Sequence, residues 1–255
     1  MHSDLIAMLK RRGFEVMAAN PRDKLFFPKD RHNNFENEIY EILKKYSFRI
    51  FMRDVIKNRK SFCVDDLMKY VSREWVETYI NFLLERNIVE NIKDDFYRLN
   101  KKSVFSFGET LEWFVAQIFE REFSSTAMWG VRLRGGKSGG DYDVIASFEQ
   151  RIAYIEVKSS PPANVEEKEI VSFLERSEEL APSLAIFLED TQLRMKDKIV
   201  PFFENAVKEK GLVVKRLREE IFGIGSKVYI TNSKRDVVSN LAFCVKHHLT
   251  SGSFV

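Results

Sequence analysis

The chain has 255 residues, 44% of them apolar and 22 of them phenylalanine, enough to bury one large core or two smaller ones. Its formal net charge is only +3, from 41 Lys and Arg against 38 Asp and Glu, too small to announce a polyanion binder from composition alone. No apolar run approaches the roughly 20 residues needed to span a bilayer, and the first dozen residues read as a short amphipathic stretch, so a cytoplasmic protein with no membrane partner is expected. Cys63 and Cys244 lack CxxC spacing, and His2, His32, His247 and His248 form no HxxxH or HExxH pattern, which argues against zinc.

Residues 1–37 hold one helical pattern, Leu5, Ile6, Met8 and Leu9, and a loop bounded by Pro21 and Pro28; they form an N-terminal extension without assigned chemistry. From residue 38 onward Ile39, Ile42, Leu43 and Tyr46, then Phe51, Met52, Val55 and Ile56, recur at helical spacing. Ser72, an N-cap residue type, precedes an amphipathic helix carrying Trp75, Val76, Tyr79, Ile80, Leu83 and Leu84. Strand-like pieces at 88–90 and 96–99 flank a polar turn and predict a β-hairpin. Together, residues 48–100 resemble a winged-helix module inside a mainly α domain at 38–102. Such modules place their second helix in the DNA major groove. Here that helix offers Glu74, Glu77 and Glu85 beside only Arg73 and Arg86, so Lys57, Arg59 and Lys60 are the better phosphate contacts. Protein contact or scaffolding is the alternative role. Residues 1–102 hold 21 Lys and Arg against 16 Asp and Glu, and the balance reverses to 20 against 22 beyond Lys102, marking a domain boundary there.

The second domain, 103–255, opens with an amphipathic helix after Gly108, with Leu111, Phe114, Val115, Ile118 and Phe119 on one face. Strands are predicted at 127–134, 142–148 and 152–157, separated by a glycine-rich stretch at 134–140 and a turn at 149–151. Pro161 and Pro162 stop the third strand, and Asn164 with Glu167 form a capping pair for a helix to about Leu180. A buried strand at 183–188, a helix at 193–208, strands at 212–217 and 227–231 and a last helix from Lys234 complete the order.

Asp143 interrupts the apolar strand 142–146, and Glu156 and Lys158 interrupt 154–158. A charge inside a buried strand is normally paired, hydrogen-bonded or bound to a cation. A hairpin closed at 149–151 brings Asp143 near Glu156, and the two-residue period of a strand puts Glu156 and Lys158 on one face. Two carboxylates and an ammonium then converge, a set suited to Mg²⁺ or Mn²⁺. The chemistry this serves is phosphodiester hydrolysis, with Lys158 orienting the attacking water or stabilising the transition state, a lowered pKa being one way to do so.

The run Gly139-Gly140-Asp141-Tyr142-Asp143, a twelve-residue gap, and Glu156-Val157-Lys158 resemble the PD-(D/E)xK nuclease superfamily, whose αβββαβ core matches the predicted order from Gly108 to Leu188. The resemblance implies a restriction-endonuclease-like α/β domain with a mixed sheet that hydrolyses DNA with Mg²⁺ or Mn²⁺ and no organic cofactor. It also implies Asp143 and Glu156 as metal ligands, a third carboxylate from the preceding helix (Glu112 in the spacing of archaeal Holliday-junction resolvases, or Glu109), and Lys158 as the catalytic amine. Arg132, Arg134, Lys137 and Ser138 would contact phosphate, Asp141 would replace Asp143 should that side chain point away, and a homodimer would serve two cuts. Tyr142 stands where the family often has proline, and the N-terminal module is closer to Mrr-like enzymes than to resolvases. A non-catalytic DNA-binding or regulatory protein on the same fold, and an RNA-directed or CRISPR-associated nuclease, are the alternatives.

Overall fold

The computed structural model describes residues 2–28, 34–137 and 139–251. They divide into two compact units, Pro21–Thr110 and a larger one combining Met1–Asn20 with Leu111–Val255. None of the described helices is long and apolar enough to cross a membrane.

In chain order, helix α1 (Ser3–Arg11) buries Leu5, Met8 and Leu9, and strand β1 (Glu15–Ala18) follows. Residues without an assignment from sequence thus contribute a helix and an edge strand to the larger unit. The smaller unit contains α2 (Phe35–Leu43), α3 (Tyr46–Lys57), α4 (Arg73–Glu85) and the antiparallel hairpin β2 (Val89–Lys93) and β3 (Phe96–Leu99). Its core is aromatic. Phe48 packs against Phe26, Phe51, Tyr79 and Phe82 with ring centroids 5.1–6.5 Å apart. Arg49, 1% exposed, is tolerated in this core because its guanidinium donates to the carbonyls of Leu43 and Lys44, which end α2.

The larger unit resumes with α5 (Gly108–Glu122) and strands β4 (Thr126–Arg134), β5 (Asp141–Phe148) and β6 (Arg151–Lys158). Then come α6 (Glu167–Leu180), β7 (Leu184–Glu189), α7 (Ile199–Lys208), β8 (Val214–Arg218), β9 (Ile221–Ile224), β10 (Val228–Asn232) and α8 (Val237–Thr250). Among the described residues the eight strands form one mixed sheet in the order β1-β4-β5-β6-β7-β10-β9-β8. Only the central pairs β6–β7 and β7–β10 are parallel. This is an α/β protein. Its central strands β6 and β7 are buried almost end to end, which is why they read as near-continuous apolar runs, whereas β4 alternates Val131 and Leu133 inward with Arg132 and Arg134 outward.

Three local departures from the expected elements have simple causes. The cap of α6 is Glu166 with Glu169, whose carboxylate accepts the Glu166 N–H at 3.0 Å, because a 3-10 turn at Pro162–Asn164 absorbs Asn164. Helix α7 starts at Ile199, not near Leu193, since the preceding loop is tied down by its own bonds, Met195 N–H to Glu220 and Asn232 to the Leu193 carbonyl. Strand β9 has only four residues and was hidden between charged neighbours.

Helix α6 docks on the sheet through Phe173, which lies 5.5 Å from Tyr154, 5.5 Å from Phe187 and 6.0 Å from Phe203, centroid to centroid. Phe173→Ala should therefore lower stability by about 3–5 kcal/mol, read as a shift in urea midpoint at constant slope. A loss below about 1 kcal/mol would mean that α6 is not held by this contact.

Candidate active site

The β5–β6 hairpin closes through Glu149 and Gln150, both in the left-handed region (φ 47° and 59°), as a two-residue turn requires. Its register runs from Phe148 opposite Arg151 to Val144 opposite Ile155. The regular ladder stops there, one step short of Asp143 and Glu156. Asp143 Oδ2 accepts the Val157 N–H at 2.7 Å, while β6 continues in parallel register with β7, Glu156 beside Phe187 and Lys158 beside Glu189. Asp143, Glu156 and Lys158 thus come together where the β5 ladder on β6 ends while the β7 ladder goes on.

Glu156 is 2% exposed. Arg176 of α6 donates to both of its carboxylate oxygens, at 2.8 and 2.9 Å, and the Tyr154 hydroxyl donates to Oε2. Lys158 Nζ lies 2.9 Å from Glu156 Oε1 and 2.9 Å from Glu169 Oε2. Two periodicities meet in this lattice. Tyr154, Glu156 and Lys158 share one face of β6, and Phe173, Arg176 and Glu169, spaced at four and seven residues, share one face of α6. Sequence reading missed Arg176 and Glu169; the signal was an arginine and a glutamate on the same helical stripe as the buried Phe173.

Burial, and then the Glu156 charge, push the Asp143 carboxyl up to about 7, against the opposing pull of the Val157 N–H, Lys158 and Arg176. For Lys158, burial would lower the pKa, yet the Glu156 charge and the bonds to Glu156 and Glu169 together hold it above its ordinary value. The lowered lysine pKa entertained from sequence is thus corrected: Lys158 is a firm ammonium. Burial also pushes Tyr142 up to about 12 and Tyr154 well above the phenol range, so both remain neutral phenols.

The remaining expected residues are more dispersed. Arg132 pairs with Asp141 on β5 at 3.3 Å, and Arg134 with Glu15 on β1; all four side chains are exposed. Asp141, the alternative ligand, is exposed and pairs with Arg132. Lys137 is exposed and its backbone N–H donates to Glu179 of α6, while Ser138 lies outside the described residues. The glycine-rich stretch has a packing reason, since a Cβ at Gly135 would lie 2.3 Å from the Gly13 carbonyl oxygen and one at Gly140 2.2 Å from that of Leu133. Glu112 is half-buried on α5, and Glu109 accepts from Ser106 at 2.7 Å and pairs with Lys24 at 3.5 Å. Lys57 and Lys60 are exposed and Arg59 half-buried in the smaller unit.

Among the described residues no three His, Cys, Asp or Glu side chains gather as a metal cage, so Glu112 does not join the two strand carboxylates in this arrangement. The donor pair itself suits Mg²⁺, which keeps several waters and often takes only one or two carboxylates. Asp143 and Glu156 repel one another, as the raised Asp143 pKa records, and a divalent cation would relieve that repulsion.

Two tests follow. The Asp143 carboxyl ionises near 3.9 in an unfolded chain and near 7 in the fold, so the folded state holds the extra proton in between. Its contribution to stability is full below about pH 4 and is lost as pH rises through about 7. In EDTA, Asp143→Asn should match the wild type near pH 4 and exceed it by on the order of 2–4 kcal/mol at pH 8 in urea denaturation; equal midpoints at pH 8 would show that the buried charge carries no penalty. Arg176→Ala should lower stability by about 3–5 kcal/mol, because it strips a nearly fully buried carboxylate of its bidentate partner, and Arg176→Lys should restore part of the loss.

No family model matches this chain, and no curated protein matches it. Its fold is similar to that of protein VC1899 from Vibrio cholerae, with a TM-score of 0.53 and 13% identity over 96% of this chain and 62% of that one. It is also similar to Can2 from Sulfobacillus thermosulfidooxidans, solved in complex with cyclic tetra-adenylate, with a TM-score of 0.55 and 10% identity over 94% of this chain and 60% of that one. At these identities the likeness is one of fold, and the chain spans about three fifths of the length of either structure.

Proposed function

We propose that this chain is a divalent-metal-dependent endonuclease that hydrolyses phosphodiester bonds in DNA, built on a restriction-endonuclease-like core with a winged-helix-like module at its N-terminal side. The observation that carries the reading is the meeting of Asp143, Glu156 and Lys158 where β5 diverges from β6 and β7 stays paired with it. The order α5, β4, β5, β6, α6, β7 supports it, being the αβββαβ order of PD-(D/E)xK nucleases.

Asp143 and Glu156 would hold Mg²⁺ or Mn²⁺, which when bound polarises a phosphoryl oxygen and makes a bound water a better nucleophile. Lys158, kept protonated by Glu156 and Glu169, donates to the phosphoryl oxygens as negative charge grows on them during in-line attack. It therefore acts as a cation and not as the base. Arg176 and Tyr154 touch Glu156 and fix its orientation, a positioning role. Arg132, Arg134 and Lys137 supply exposed positive charge for the DNA backbone, the two arginines after exchanging Asp141 and Glu15 for phosphate.

A second reading, a non-catalytic DNA-binding or regulatory protein, is favoured by one feature, the saturation of Glu156 by Arg176, Lys158 and Tyr154. Labelled duplex, single-stranded and four-way-junction DNAs, with Mg²⁺ or Mn²⁺ and with or without the cyclic tetra-adenylate found with Can2, separate the two. The nuclease reading expects metal-dependent cutting that falls at least about 100-fold in Asp143→Ala with DNA binding retained. Binding without cutting in both proteins would establish the second reading instead.

A further inference from the structure

The smaller unit carries a cavity of about 420 Å³ lined by Arg59, Lys60, Arg98, Leu99, Lys102 and Phe105. Four of these six residues are cations and none is acidic. The backbone builds the cluster: the Leu99 N–H donates to the Arg59 carbonyl at 3.0 Å, and Phe62 bridges Tyr97, so the segment after α3 lies along β3. Arg98 pairs with Glu90 at 2.6 Å, whereas Arg59, Lys60 and Lys102 enter no ion pair among the described residues. Phe105 is the second element. Its side chain is 70% exposed, with the Arg59 guanidinium 4.6 Å from the ring centroid.

An exposed aromatic ring amid cations, most of them without an ion pair, does nothing for the core of this unit. It matches one ligand chemistry: phosphates for the cations and an unpaired base for the ring. A duplex hides its base faces inside the stack, so only a single strand can lay one on Phe105. We infer that this cavity binds single-stranded nucleic acid, one base stacking on Phe105 and the adjoining phosphates on Arg59, Lys60, Arg98 and Lys102. If that strand is also what the protein cuts, the substrate assignment rests on the proposed nuclease activity; the binding itself does not.

The test is fluorescence anisotropy in EDTA with the full chain, using labelled oligothymidylate and oligouridylate of about twelve nucleotides, each beside a duplex of the same length. Phe105→Ala should weaken single-strand binding by about 5- to 100-fold and leave duplex binding unchanged. K60Q/K102Q should reduce the slope of log affinity against log salt by about 1.4 for a single strand. Retained affinity for either oligonucleotide that is lost in Phe105→Ala supports the site, and the tighter of the two identifies the sugar. No single-strand binding by the wild type, or equal single-strand affinity in Phe105→Ala, overturns it. Both variants change exposed side chains, and a thermal melt matched to the wild type confirms their folding. Because cleavage plays no part in this readout, a protein that binds but never cuts would sink the hydrolytic reading and leave this one standing.

Discussion

A carboxylate buried on the central strand is the constraint on which the larger unit is organised. Glu156 sits at 2% exposure with sheet on both sides, where an unpaired ion would be several kcal/mol too costly to keep. Its compensation has to come from the covering layer and from its own strand. Helix α6 supplies Arg176, β6 supplies Lys158 and Tyr154, and each of these is in turn held: Lys158 by Glu169, Tyr154 by the Arg176 Nε–H at 3.0 Å. The register of α6 over the sheet is thus specified by charge as well as by the Phe173 contacts. A one-residue slip of β6 would turn Tyr154, Glu156 and Lys158 to the wrong face.

The same constraint explains where the chemistry is placed. Strand β6 pairs antiparallel with β5 from Arg151 to Ile155 and parallel with β7 from Ala153 to Lys158, so at its C-terminal end β5 diverges. Divergence leaves the Val157 N–H without a strand partner, and Asp143 takes it with a side chain. A second carboxylate is thereby drawn toward Glu156 at the end of a parallel pair, the kind of position where open α/β sheets commonly form ligand sites. The electrostatic result is asymmetric. Asp143 resists ionisation and Lys158 resists deprotonation.

Charge is also segregated within the smaller unit. The exposed side of α4 carries Glu74, Glu77 and Glu85, with Arg73 tied to Asp65 and Glu77 and Arg86 tied to Glu38. Among the described residues Arg59, Lys60 and Lys102, which enter no ion pair, line one cavity with Phe105. A helix with that composition repels a phosphate backbone, whereas the cavity attracts one.

The sequence by itself determined most of the elements of the larger unit and the trio Asp143, Glu156 and Lys158, because strand and helix periodicities are local and a charge in an apolar strand is conspicuous. The hairpin was legible for the same reason: the turn at 149–151 and the two-residue period place 143 opposite 156. Tertiary structure alone decided the rest. Strand β1 is four residues long and becomes a strand only by pairing with β4, and β9 only by lying between β8 and β10. Arg176 is one of several charges along α6, and its role exists only because α6 lies across β6. The direction of the Lys158 pKa shift, too, depends on which carboxylates come within hydrogen-bonding distance: burial alone would lower it, and the through-space partners Glu156 and Glu169 reverse the sign.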